Sequence, residues 1–118
     1  LAVQNIYHPE LECYWMGVGG QVLDMSGAPV VGMIVQLGGS LPGISISLPM
    51  FSLTGVALNY GPSGYEFQLA GEPVASKKTL WLQLLDQAGL PVSDKVYFDT
   101  FKDCNRNLIL INFKQVRP

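Results

Sequence analysis

Charge is what this chain has least of. Only 14% of its 118 residues are Asp, Glu, Lys or Arg, against roughly 25% in ordinary soluble domains. Seven basic and nine acidic residues leave a net charge of −2, and no Lys/Arg run or basic stripe stands out. That removes the electrostatic footprint of a nucleic-acid binder. No apolar run approaches the ~20 residues of a membrane helix. Thirteen Gly and eight Pro are spread along the chain, which argues against long helices. What remains is 48% apolar residues in a chain of single-domain length, enough for a real core. The polar surface must lean on Ser, Thr, Asn, Gln and Gly, as extracellular all-β modules often do.

The sequence starts at Leu1 without Met and shows no basic-then-apolar leader pattern. It reads as a mature chain or as a fragment of something longer. Its two cysteines, Cys13 and Cys104, lie far apart and outside any CxxC pair. With His8 as the only histidine, a Cys/His zinc site lacks ligands. Two buried thiols in a reducing compartment are one reading. The preferred one is a single disulfide tying the first strand to the start of the last. Such a bridge is worth about 4 kcal/mol in the chain-entropy model and implies an oxidising, extracellular setting.

Residues 1–14 read as an irregular or edge lead-in, since Pro9 prevents a regular start. Residues 15–118 read as a single β-sandwich domain. Trp15–Asp24 has period-2 character, and Val30–Leu37 alternates Val31, Met33, Val35 and Leu37 on one face. Gly38-Gly39-Ser40 and Pro42-Gly43 then break the chain. Ile44–Leu48 (ISISL) alternates strictly and reads as a short strand. Phe51–Asn59 is another. Tyr60-Gly61-Pro62-Ser63-Gly64 is a turn, and Tyr65–Leu69 a half-buried strand with Tyr65, Phe67 and Leu69 inward. Thr79–Leu85 (TLWLQLL) is long enough for a two-turn helix, but Leu80, Leu82 and Leu84 share one face. It is read as a central strand buried largely on both faces. Lys95–Phe101 and Asn107–Phe113 complete seven or eight strands with regular turn spacing. The pattern predicts an all-β, antiparallel, Ig-like β-sandwich with Greek-key connections.

One stretch occurs twice. DMSGAPV at 24–30 returns as DQAGLPV at 86–92. In the shared Asp-x-x-Gly-x-Pro-Val, Asp accepts backbone hydrogen bonds at the turn entry and Gly takes a positive φ. Pro fixes the exit, and Val opens the next strand. A hairpin corner used twice accounts for the echo.

The run from Gly20 to Leu37, with Val22, Asp24, Gly27, Pro29, Val30, Gly32 and Val35 at its key positions, resembles the opening signature of carboxypeptidase-regulatory-like domains. Gly64-Tyr65-Glu66-Phe67 is similar to that family's later Gly-x-Tyr-x-Phe strand. The match covers roughly the first two-thirds of the chain; the tail from Val96 to Phe113 carries no such motif. The resemblance implies a transthyretin-like (prealbumin-like) β-sandwich, related in architecture to B-type repeats of bacterial adhesins and used in tandem in large extracellular proteins. Such repeats often carry a Lys–Asn isopeptide bond assisted by a buried acid. Val22 stands where that Lys falls. Asn112 and Glu66 or Glu72 could supply the other parts, but without the Lys no isopeptide is expected. The Cys13–Cys104 bridge would staple the first strand near the last in its stead.

Candidate chemistry is sparse. Nucleophilic hydrolysis needs a base beside Ser, Thr or Cys, and His8 in the lead-in reads as an exposed, idle histidine. The resembling fold includes a hydrolase that needs several His and a dioxygenase that needs a Tyr/His iron set; neither set is visible. Glu10, Glu12, Glu66, Glu72 and five Asp lie outside any glycosidase pattern. Asp99, Asp103, Asn105 and Asn107 form a weak calcium candidate. However, Leu108 replaces the loop glycine and Lys114 the closing Glu, so Asx turns are the better reading. The glycines of GVGG at 17–20 lack the strand-to-helix setting of a phosphate loop and are read as packing or a bulge. Among the aromatics, Tyr65, Trp81 and one of Tyr14 or Trp15 read as core. Tyr60, beside Gly61-Pro62, is the most loop-like and the best ligand candidate.

The function expected is a non-enzymatic spacer or adhesion element of a bacterial secreted or surface protein. Its partners would be neighbouring domains of the same polypeptide, with glycans or surface proteins next. The alternative is a carbohydrate- or protein-binding module. No cofactor, nucleic acid or membrane span is expected.

Overall fold

The structure is a computed structural model and describes residues 1–117. Two sheets face each other. One holds β1 (Ala2–Val3), β8 (Leu108–Leu110), β2 (Met16–Leu23) and β5 (Gly64–Ala70) in that order, with β9 (Phe113–Lys114) also on β2. The other runs β4 (Met50–Leu53), β3 (Ile34–Gly39), β6 (Ser76–Leu85), β7 (Val96–Thr100). The all-β, two-sheet expectation therefore stands.

The core lies where inward positions of both sheets meet. Met16, Val18 and Val22 of β2 and Tyr65, Phe67 and Leu69 of β5 pack toward Val35, Leu37, Leu80, Leu82 and Phe98 of the other sheet. The period-2 reading of YEFQL and the strand reading of TLWLQLL are both borne out. TLWLQLL cannot coil into a helix because its three leucines must reach one interior, and only a strand puts i, i+2 and i+4 on one side.

Four readings need correction. First, the sandwich is not purely antiparallel: β2 pairs in parallel with both β8 and β9. Strands near the two ends of the chain lie side by side, and the intervening residues supply the rest of both sheets. Asn107–Phe113 is accordingly split into β8 and β9.

Second, Ile44–Leu48 is not a strand. Its alternation is real, since Ile44, Ile46 and Leu48 turn toward the core. They do so as an extended cover beside Gln68–Gly71, without a hydrogen-bonded ladder. Periodicity reports burial on one side; it does not supply a partner strand.

Third, Val30–Leu37 starts late. Gly32 has φ +89°, and residues 30–33 are held by Thr54, whose hydroxyl donates to Val30 O and accepts from Met33 N–H. Phe51–Asn59 likewise shortens to β4 before turning at Thr54 and Gly55.

Fourth, the repeated corner is not twice a hairpin. Both copies have the same internal wiring. Asp24 Oδ1 accepts from Ser26 and Ala28 N–H; Asp86 Oδ1 accepts from Ala88 and Leu90 N–H. Gly27 and Gly89 have φ +87° and +83°. Bridges Leu23–Pro29 and Leu85–Pro91 close them alike. The second corner joins neighbours β6 and β7, whereas the first passes from one sheet to the other.

Candidate functional site

The two outer faces of the sandwich are the places where function could reside, and they differ. Outward positions of β2 are Gly17, Gly19 and Gln21. The glycines leave room for aromatic rings laid directly on the backbone. A Cβ at Gly17 would meet Trp15 ring atoms at 2.4 Å, and one at Gly19 would meet the Tyr60 ring at 2.5 Å. Trp15, Tyr60 and Leu108 form a second buried cluster there, with Val3, Tyr7, Ala57 and Leu110 around it. This gives the GVGG glycines their packing role.

Tyr60 is therefore not the loop-borne ligand residue that its Gly-Pro neighbours suggest. It is 8% exposed, at the end of the 3₁₀ turn Leu58–Tyr60, and its ring centroid lies 4.4 Å from that of Tyr7. Its hydroxyl donates to Glu66 Oε2 at 2.6 Å. Burial first, and then the Glu66 carboxylate, pushes its ionisation well above the usual tyrosine range. Burial does the same to Tyr65 on the inner face, whose hydroxyl donates to Ile111 O.

His8 is not idle either. Its Nε2 lies 2.9 and 2.8 Å from the two oxygens of Glu66, and its ring packs tilted by 41° against Trp15, with centroids 5.1 Å apart. His8 is 28% and Glu66 22% exposed at the side chain. His8, Glu66 and Tyr60 thus form a small polar knot that pins the lead-in to the five-stranded sheet. Sequence offered no signal for it, because 58 positions separate His8 from Glu66.

Three of the four calcium candidates, Asp99, Asp103 and Asn107, are engaged by the protein itself. Asp103 caps the 3₁₀ turn Cys104–Arg106 by accepting from Asn105 N–H, and its other oxygen accepts from Arg106 Nε at 3.0 Å. These two bonds, in that order, hold its carboxyl below the usual range. Asp99 accepts from Lys78 N–H. Asn107 is fully buried: its Oδ1 accepts from Asn5 N–H, and its Nδ2 donates to Glu12 O and Trp15 O. Asn107 thus holds the lead-in in place, while Asn105 is exposed. Among the described residues no three His, Cys, Asp or Glu side chains converge. Beside this segment, Cys13 and Cys104 form a disulfide with Cα atoms 5.2 Å apart.

The four-stranded sheet has no such cover. Phe51 and Leu53 of β4, Ile34, Gln36 and Gly38 of β3, Trp81 and Gln83 of β6, and Tyr97 of β7 point outward by the pairing register. Phe51 is 59% and Tyr97 49% exposed. Trp81 is half-buried, not core, because its inward neighbours Leu80 and Leu82 already fill the interior. Its indole lies on Gly38, where a Cβ would meet the ring at 2.1 Å, and Lys95 Nζ sits 4.4 Å from its centroid. Thr79, two residues before Trp81, carries the buried side-chain polar atom that lacks a hydrogen-bond partner among the described residues.

An apolar cavity of about 430 Å³ opens at the corner end, between Val22, Val30, Met33, Leu84 and Phe113. No helix of the described residues is long and apolar enough to cross a membrane.

No family model matches the chain. No curated protein matches it either. Among solved structures it is similar to the dioxygenase domain of a dioxygenase–carbohydrate-binding protein fusion from the cellulolytic bacterium Streptomyces sp. SirexAA-E. The TM-score is 0.52 at 12% identity, over 86% of this chain and 79% of that one. At that identity the likeness shows the two-sheet fold alone. Fold and site together define an all-β sandwich domain with one covered and one open face.

Proposed function

We propose that this chain is a non-catalytic, transthyretin-like β-sandwich module with Greek-key connections, a spacer or adhesion element of a larger secreted or surface protein. The observation that carries this reading is the covalent link between the two ends of the fold. Cys13 and Cys104 are 91 positions apart. Tension applied at the two ends of this segment runs through residues 1–13, across the sulfur–sulfur bond and on through the residues after Cys104. Residues 14–103 sit in a closed loop and bear none of it. At 3.3–3.6 Å per residue, the loop keeps about 300 Å of chain out of reach of force. That property suits a connector between neighbouring domains of one polypeptide in an oxidising compartment.

The test is single-molecule stretching with handles at both ends. Fully stretched, oxidised protein should span only about 100 Å from end to end, and reduction should release about 300 Å more. Equal extension in both states sinks the reading.

A second reading, a carbohydrate- or protein-binding module, is favoured by the exposed aromatics of the four-stranded sheet. The site then moves from Tyr60 to Trp81, Tyr97 and Phe51.

A further inference from the structure

We propose that the open face of the four-stranded sheet binds an extended, neutral polysaccharide chain, which stacks on Trp81 and Tyr97 and reaches Phe51. This rests on the binding reading above and names its ligand class.

Register places Trp81 directly opposite Tyr97 and directly opposite Gly38. The two aromatics are neighbours across strands, and Gly38 lets the indole lie against the sheet instead of standing up from it. Phe51 pairs with Gln36, and Gln36 with Gln83. Phe51 and Trp81 thus sit two strand spacings apart, on β4 and β6, and two residues apart along the strand direction, or about 12 Å in all. The three rings lie on a diagonal across the sheet: Trp81 and Tyr97 share one rung, and Phe51 lies on the next outward rung with Gln36 and Gln83. Pyranose rings present flat C–H faces and a rim of hydroxyls. Aromatic rings take the first by dispersion and quadrupole contact, and amides hydrogen-bond the second.

Charge selects the occupant. Lys95 Nζ lies over the Trp81 ring, 4.4 Å from its centroid, and swings aside on its flexible stem when a sugar stacks there. Asp99, two residues past Tyr97 and held by Lys78 N–H, borders the platform. Between them the outward positions carry only aromatic, aliphatic, amide and glycine residues. With one cation and one anion the face offers no net charge to draw in a polyanion or a polycation, and a neutral hydroxyl-rich chain needs none. Gln83 Nε2 already donates to Ser93 O, but a second copy of this face would bury the Gln36 amide against aromatic rings, and an unpaired buried amide costs about 1–3 kcal/mol.

The experiment is native affinity electrophoresis in gels containing hydroxyethylcellulose, glucomannan, xylan or polygalacturonate. It is followed by fluorescence titration of tryptophan with the hexasaccharide of any polymer that retards the protein. Analytical ultracentrifugation without glycan runs alongside. At least one neutral polymer should retard the protein, and polygalacturonate should not. Trp81→Ala should weaken binding at least tenfold and Tyr97→Ala and Phe51→Ala severalfold, whereas Lys95→Ala, which uncovers the indole face, should hold or raise affinity. Near-unchanged melting of Tyr97→Ala and Phe51→Ala shows that their losses are not unfolding. Retardation by no neutral polymer overturns the proposal, as does retardation untouched by all three aromatic substitutions. Self-association abolished by Trp81→Ala overturns it too, while leaving a protein-binding role standing. None of these outcomes touches the stretching result.

Discussion

The two outer faces of this sandwich are built from the same device and put to opposite ends. On the five-stranded sheet, Gly17 and Gly19 carry Trp15 and Tyr60; on the four-stranded sheet, Gly38 carries Trp81. In each case a missing Cβ lets a ring lie on the backbone. Around Trp15 and Tyr60 the chain then adds Tyr7, Val3 and Leu108, the His8–Glu66 contact and a disulfide. Around Trp81 it adds only Lys95. One ring pair is core, and the other ring is surface. An aromatic on a sheet is therefore assigned by what covers it, and cover comes from elsewhere in the chain.

The comparison can be broken most forcefully at the disulfide, which anchors the covered face. Closing a 91-residue separation is worth about 4.5 kcal/mol in the chain-entropy model. Cys13→Ser with Cys104→Ser should therefore lower the thermal midpoint by roughly 15 °C, read by circular dichroism. A change of a degree or two would mean that the lead-in holds without it. Next come the two tryptophans. Trp15→Ala removes a ring 2% exposed and should cost about 3–5 kcal/mol in urea unfolding, while Trp81→Ala should cost about 1 kcal/mol. Equal costs would erase the distinction between the faces.

A finer test uses the glycines. Gly19→Val collides with the Tyr60 ring and with Tyr65 O, neither of which can leave, and should cost about 3 kcal/mol. In Gly38→Val the nearest atoms all belong to the Trp81 ring, which can swing into solvent, so about 1 kcal/mol is expected.

Titration gives the smallest effects. Burial raises the ionisation of Tyr60 and Tyr65, so their contribution is fully present below the unfolded tyrosine value, about 10, and is lost as pH rises above it. Absorbance near 295 nm should show two of the five tyrosines ionising only when the fold opens; smooth ionisation of all five would contradict the buried Tyr60. Asp24 is held below its usual range by the Ser26 hydroxyl and then by Ala28 N–H. Its corner should be intact above pH ~4 and loosen as pH falls further, followed by carboxyl chemical shifts.

Much of the fold was legible because its causes are local. The leucines of TLWLQLL and the alternation of YEFQL fix strand type and inward side. The Asp-x-x-Gly-x-Pro-Val corners fix their own wiring, since donor, acceptor and positive-φ glycine all lie within seven residues. ISISL was misread because alternation is also produced by an extended cover with no partner. Tyr60 was misread because its neighbours Gly61 and Pro62 describe the turn and not what the ring rests on. His8, Glu66 and Asn107 were not legible as a group, because contacts separated by 58 to 102 positions leave no mark in a single sequence.

The sequence by itself determined an all-β chain with a low-charge surface, the two corner turns, the inward faces of the central strands and a cysteine pair suited to one bridge. Each follows from backbone conformation or side-chain period, which act over a few residues. Only the tertiary structure decided that β2 lies parallel to β8 and β9, that one corner crosses between sheets, and that Tyr60 is core while Trp81 is surface. Those outcomes depend on which distant segment covers which face, and the free energy that settles it is the burial of area shared between both.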